Sequence, residues 1–153
     1  MITRPTVFVL GAGASHPYGF PLGQGLLNEV VRELSNADGE FHHEVCAVIR
    51  EVERVKAFAR DLRLCGRSSI DAFLETRQEF VDVGKAAIAR VLSEYESDGR
   101  LTHDRPDEGW YHYLFDRMLT RSPDDFRNNR LCVVTFNFER SFERALVLAE
   151  PHW

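Results

Sequence analysis

Two apolar, β-branched runs lying far apart in the chain constrain its fold more than any other feature. The first, Thr6–Leu10 (T-V-F-V-L), follows Pro5 and runs straight into Gly11-Ala12-Gly13. The second, 131–136 (L-C-V-V-T-F), ends at Asn137. Continuous apolar runs of this length belong to buried strands, and each such strand in a parallel sheet needs neighbours on both edges. Most of what lies between them is patterned as helix, so the chain reads as α/β with a parallel sheet and a large helical insertion over about 40–121. Two strands fall short of the usual sheet of roughly five or six. The expectation is therefore one partial domain over 1–153, the N-terminal portion of something larger, with no second domain. The ending 149–153, which follows a short helix without a closing element, points the same way.

The helical pattern is explicit. Leu22, Leu26, Leu27, Val30, Val31 and Leu34 recur at spacings of three and four and define one helix face after Pro21. From Phe41 to Leu64 the positions Val45, Val48, Ile49, Val52, Val55, Phe58, Ala59 and Leu62 continue that period, predicting one long amphipathic helix. Ser69 is placed to cap the next helix, whose inward face is Ile70, Phe73, Leu74, Phe80 and Val81, and Gly84 is expected to divide it from a further helix through Tyr95. The polar stretch 97–108 reads as a loop, 110–119 as an aromatic helix, 122–129 as a turn-rich break, and 140–148 as a last helix.

Composition removes several classes of function. The 153 residues carry 19 Lys plus Arg against 24 Asp plus Glu, a net charge of −5, which argues against a domain that holds nucleic acid by bulk charge. No apolar run approaches the ~20 residues needed to span a bilayer. Three cysteines, Cys46, Cys65 and Cys132, stand far apart with no C-x-x-C pair, and provide neither a disulfide framework nor a zinc ribbon. A reducing cytoplasm is the expected setting.

The turn after the first strand is the strongest candidate for chemistry. Gly11 and Gly13, after a strand and before a helix, are placed as in turns that bring main-chain N–H groups close to a phosphate. A dinucleotide fingerprint G-x-G-x-x-G is incomplete here, because His16 stands at the third glycine. The longer string is more specific. Gly11-Ala12-Gly13-Ala14-Ser15, three residues, then Gly19-Phe20-Pro21 resembles the first nucleotide-binding motif of the sirtuin-like family. Thr135-Phe136-Asn137-Phe138-Glu139 resembles that family's T-Q-N-I-D motif, also met as T-x-N-Y-D. The two stand in the family's order, each at the end of a strand. The helical interval, the string 69–74 (S-I-D-A-F-L), and the lack of a paired-cysteine zinc module between Leu22 and Cys132 are most similar to the bacterial sirtuin-like NAD hydrolases associated with anti-phage defence.

The resemblance implies a Rossmann-like NAD-binding domain that cleaves the nicotinamide–ribose bond to give nicotinamide and ADP-ribose. It implies that Gly11, Ala12, Gly13, Ala14 and Ser15 hold the pyrophosphate, that Gly19, Phe20 and Pro21 shape a lid over the nicotinamide end, and that Thr135, Asn137 and Glu139 line the ribose and nicotinamide side. Asn137 takes the catalytic role, orienting water or a ribose hydroxyl. Glu139 stands where the family carries aspartate, and Leu22-Gly23-Gln24 replaces its D-F-R. The family's catalytic histidine precedes a glycine, a pair this sequence does not contain. His152, the one histidine after Asn137, is followed by Trp153, so the base is expected beyond the present residues. NAD is then the substrate, no metal is expected, and the expected partners are a second copy or a defence-system protein. Membranes and nucleic acid are not expected partners. The rival readings are an NAD-dependent protein deacylase and a non-catalytic module that senses NAD or ADP-ribose.

Other groupings have plainer readings. His42, His43 and Cys46 fall within one helical turn, as metal ligands do, but no fourth ligand is evident and a solvated helix start is the simpler reading. Ser15 beside His16 is no nucleophile elbow, since Pro17 stands where that turn needs glycine. Arg50, Arg54, Lys56, Arg60, Arg63 and Arg67 recur at near-helical spacing; interleaved with Glu51, Glu53 and Asp61, they read as a solvated face. Trp110, Tyr111, Tyr113 and Phe115 read as core or as an oligomer contact.

Overall fold

The computed structural model describes residues 1–102, 109–120 and 122–149. The loop expected over 103–108 and His152 lie outside the described residues. The described chain is mixed α/β and mostly helical, with a small two-stranded parallel sheet. It divides into two compact units, Met1–Phe20 with Glu96–Trp153, and Pro21–Tyr95.

The sheet belongs to the first unit. Strand β1 (Thr6–Leu10) pairs in parallel with β2 (Leu131–Thr135), Thr6 opposite Leu131 and Leu10 opposite Thr135. The ladder closes at both ends through Thr6 N–H to Arg130 C=O and Phe136 N–H to Leu10 C=O. Both strands lie where their β-branched runs place them, but the expectation of burial on both faces does not hold among the described residues. Val7 and Val9 are 61% and 66% exposed, while Leu10 is buried. An apolar run shows that a strand can be covered on both sides; it does not show that both sides are covered.

After β1 the chain makes two short 3-10 turns, Ala12–Ala14 and His16–Tyr18. Gly19 closes the second with φ of +91°, a left-handed conformation that favours glycine; a Cβ there would meet only the movable end of the Arg100 side chain, 2.7 Å from Nη1. Short helix α6 (Asp98–Thr102) occupies part of the stretch expected to be loop; helices α7 (Tyr111–Met118) and α8 (Ser141–Ala149) belong to the same unit. The aromatic helix is core on one side. Tyr111 stacks on Tyr18 with ring centres 4.0 Å apart, and Trp110 lies parallel to Phe142 at 6.0 Å and edge-on to Phe8 of β1. Tyr113, on the other side of α7, is exposed.

The second unit is helical: α1 (Gly23–Ser35), α2 (Glu40–Ile49), α3 (Val52–Leu64), α4 (Ile70–Leu74) and α5 (Val81–Ser93). Val30, Val55, Phe58 and Val83 are fully buried, and the rings of Phe58, Phe73 and Phe80 meet at 5.7–6.2 Å. The single helix expected over 41–64 is instead two. Arg50 takes a left-handed conformation, φ +62°, and its N–H closes α2 onto Cys46 C=O at 2.7 Å. Ser69 caps α4 as expected, its Oγ accepting from Ala72 N–H at 3.2 Å. Gly84 does not divide anything. It lies inside α5, where a Cβ would come within 2.6 Å of Leu74 Cδ1; its smallness lets α4 pack close, and the break falls earlier, between Leu74 and Gln78.

Candidate functional site

The end of β2 and the turn after β1 bring two of the sequence motifs together. Parallel pairing sets Leu10 beside Thr135, so the residues that follow each strand emerge at the same edge of the sheet. In doubly wound folds that edge is where ligands bind. Asn137 Nδ2 lies 3.4 Å from Ser15 Oγ and donates to Glu139 Oε1 at 2.7 Å. Thr135 Oγ1 accepts from Asn137 N–H at 3.1 Å, fixing the backbone as it leaves the strand.

Glu139 is 7% exposed, and each of its oxygens has a donor: Asn137 Nδ2 on Oε1, and on Oε2 the N–H of Ser141 at 2.6 Å. A buried carboxylate needs such donors. Here it ties the amide of Asn137 to the first residue of α8. Asn137 Oδ1 is also buried, but it accepts nothing. Among the described residues it is one of two buried side-chain polar atoms without a hydrogen-bond partner, the other being His42 Nδ1.

The glycine turn has the openness that close approach to a ligand requires. Gly11, Ala12 and Gly13 are exposed, and a Cβ at Gly11 or Gly13 would meet nothing within 4 Å. Ala14 N–H is used within the turn, on Gly11 C=O at 2.8 Å, and Ala14 C=O accepts from Trp110 Nε1 at 2.8 Å. Ser15 is buried, with its hydroxyl 3.3 Å from Ala12 C=O. His16 turns its Nδ1 to Phe20 C=O at 3.1 Å, a bond that bends the chain back toward buried Phe20. Pro21 begins the helical unit.

Sequence reasoning missed the aromatic support beneath this edge. Tyr18 Oη accepts from Tyr111 N–H at 2.7 Å, capping α7, and Tyr111 Oη shares a 2.7 Å hydrogen bond with Ser141 Oγ. Burial pushes both phenols above their ordinary range, so both hydroxyls stay neutral and act only as hydrogen-bond partners. Motif spacing carried no signal for these pairings, which join residues far apart in the chain. A cavity of about 450 Å³ opens beside Ser141, between α6 and α8, with Phe20, Leu101 and Val147 among its apolar walls. Arg144 at its edge is held by Asp98 at 2.8 and 2.6 Å.

Among the described residues, no group of three or more His, Cys, Asp or Glu side chains could hold a metal ion, and no helix is long and apolar enough to cross a membrane. Scans of the chain against protein-family models, curated proteins and solved structures each returned no match.

Proposed function

We propose that this chain carries the nucleotide-binding part of a Rossmann-like, sirtuin-like domain that hydrolyses NAD to nicotinamide and ADP-ribose, in the manner of the bacterial enzymes active in anti-phage defence. The observation that carries the reading is the buried, unpartnered Oδ1 of Asn137 at the strand edge, next to Ser15 and an open glycine turn. An amide held by Glu139 with its oxygen unsatisfied is a ready acceptor for a ribose hydroxyl or for the water that attacks the ribose. The exposed Gly11–Ala12–Gly13 backbone offers room for main-chain donors to approach a pyrophosphate.

In this reading Asn137 orients the reacting groups, Glu139 positions Asn137, and Ser15 completes the polar wall. Bond cleavage passes through an oxocarbenium-like state, so their contribution is orientation of the ribose and the water. The test, made on the product of the complete open reading frame, is release of nicotinamide and ADP-ribose from NAD, followed by chromatography. Asn137→Ala is expected to lower turnover by at least roughly tenfold, the loss of about one oriented hydrogen bond in the transition state. Full turnover by that variant overturns the assignment. NAD binding without nicotinamide release would instead identify a sensing module, and O-acetyl-ADP-ribose formed with an acylated peptide would identify a deacylase.

A further inference from the structure

The second unit contains a cavity of about 430 Å³ lined by residues of α1, α2 and α3 and by Ala37 from the α1–α2 connection. Its charge is one-sided. Lys56, Arg60 and Arg63 line it from one face of α3, at successive spacings of four and three, and no lining residue is acidic. Leu34, Ala59 and Leu64 supply apolar wall, and the Leu64 side chain is largely exposed.

His42 is the second, independent sign of a ligand. It lines the cavity, is 3% exposed, and its Nδ1 has no hydrogen-bond partner, while Nε2 sits 3.4 Å from Cys46 Sγ. Burial, helped by neighbouring His43 and Lys56, holds the imidazole below its ordinary pKa, so at neutral pH the ring is uncharged and Nδ1 offers one hydrogen-bonding position. A buried ring nitrogen with nothing to bond to is a cost the fold carries unless something else meets it.

The ion pairs these cations make are exposed or shared. Lys56 is held by exposed Glu53 at 2.8 Å, a surface pair of little worth. Arg60 shares Asp61 with Arg77, so Asp61 keeps a partner when Arg60 leaves. Arg63 has no ion pair among the described residues.

We propose that this cavity binds a small organic phosphate, its phosphoryl oxygens received by Lys56, Arg60 and Arg63 and its apolar part lying against Leu34, Ala59 and Leu64. Three cations match a phosphate monoester, which bears nearly two negative charges and three acceptor oxygens, better than a carboxylate, and arginine forks suit its geometry. The volume lies in the range of small-molecule sites. The site lies within the helical unit and does not depend on the reading of the strand edge.

The experiment is calorimetric titration of the full chain with phenyl phosphate and, separately, with inorganic phosphate. Phenyl phosphate is expected to bind saturably at or below about 1 mM, and more tightly than inorganic phosphate. The exposed double substitution Lys56→Gln/Arg63→Gln is expected to weaken it roughly tenfold or more without lowering the melting temperature. Asn137→Ala should leave it unchanged, and the ring ¹⁵N signals of His42 should move on titration. Absence of saturable binding, binding unaffected by the double substitution, or unmoved His42 signals overturns the site. Equal affinity for inorganic phosphate overturns the organic part of the proposal.

Discussion

Asn137 donates its side-chain amide to Glu139 at 2.7 Å while its Oδ1, buried in the same place, accepts nothing. The pair joins the exit of β2 to the start of α8, because the other oxygen of Glu139 takes the N–H of Ser141. Orientation of the amide and anchoring of the helix thus depend on one carboxylate. Both of its oxygens are engaged within the chain, which makes Glu139 a positioning residue for Asn137.

Glu139→Ala is expected to destabilise the protein by about 2–3 kcal/mol, since it removes two charge-assisted hydrogen bonds and leaves the Ser141 N–H without its acceptor. Glu139→Gln should cost less, because its amide oxygen can still accept from one of the two donors. Urea unfolding of the three proteins measures both values. Equal stability of the glutamine variant and the parent would mean that one of the two bonds contributes nothing.

Tyr18→Phe tests the cap on α7. The substitution keeps the ring stacked on Tyr111 but removes the oxygen that accepts Tyr111 N–H at 2.7 Å, in a place where Trp110 supplies no side-chain cap. An orphaned buried donor costs about 1–3 kcal/mol. Tyr111→Phe removes only the hydroxyl pairing with Ser141, which can be either donor or acceptor, and is expected to cost about 1 kcal/mol. Thermal unfolding should rank Tyr18→Phe as the more damaging; the opposite order would show that the cap is met another way.

Local features were legible where one residue type settles them. The two strands follow from β-branched runs and the start of α4 from Ser69. What was not legible depends on partners distant in the chain. Gly84 looks like a breaker until Leu74 is seen packed on it, and Tyr18 carries no sign that its hydroxyl will cap a helix that begins at Tyr111. Burial on one face of a sheet was equally hidden, because the apolar run T-V-F-V-L is the same whether one or both faces are covered.

His42 gives the helical unit a pH dependence with a definite sign. Burial is the main cause of its lowered pKa, with His43 and Lys56 acting in the same direction and Asp38 against them. In the unfolded chain the imidazole titrates near about 6.5. Below that pH the unfolded state takes up a proton that the folded state resists, so stability falls as the pH drops and levels off above it. The melting temperature is expected to decline between about pH 7.5 and 5.5, and His42→Leu should make the decline shallower. An unchanged slope would assign the dependence to other groups.

Arg50 decides between the continuous helix that apolar spacing suggests over 41–64 and the break seen between α2 and α3. At φ +62° and ψ +15° it occupies the left-handed region where a side chain is strained and glycine is not, and α2 ends on its N–H bond to Cys46 C=O. Its side chain is exposed and makes no hydrogen bond or ion pair among the described residues, so replacing it loses no such contact. Arg50→Gly is therefore expected to stabilise the protein by about 0.5–1 kcal/mol. Arg50→Val, with a branched side chain in the same conformation, should destabilise it by a similar amount or more. In a continuous helix the glycine would sit mid-helix and cost about 1 kcal/mol. The sign of the Arg50→Gly effect in urea unfolding thus reports directly on whether the chain turns at this residue.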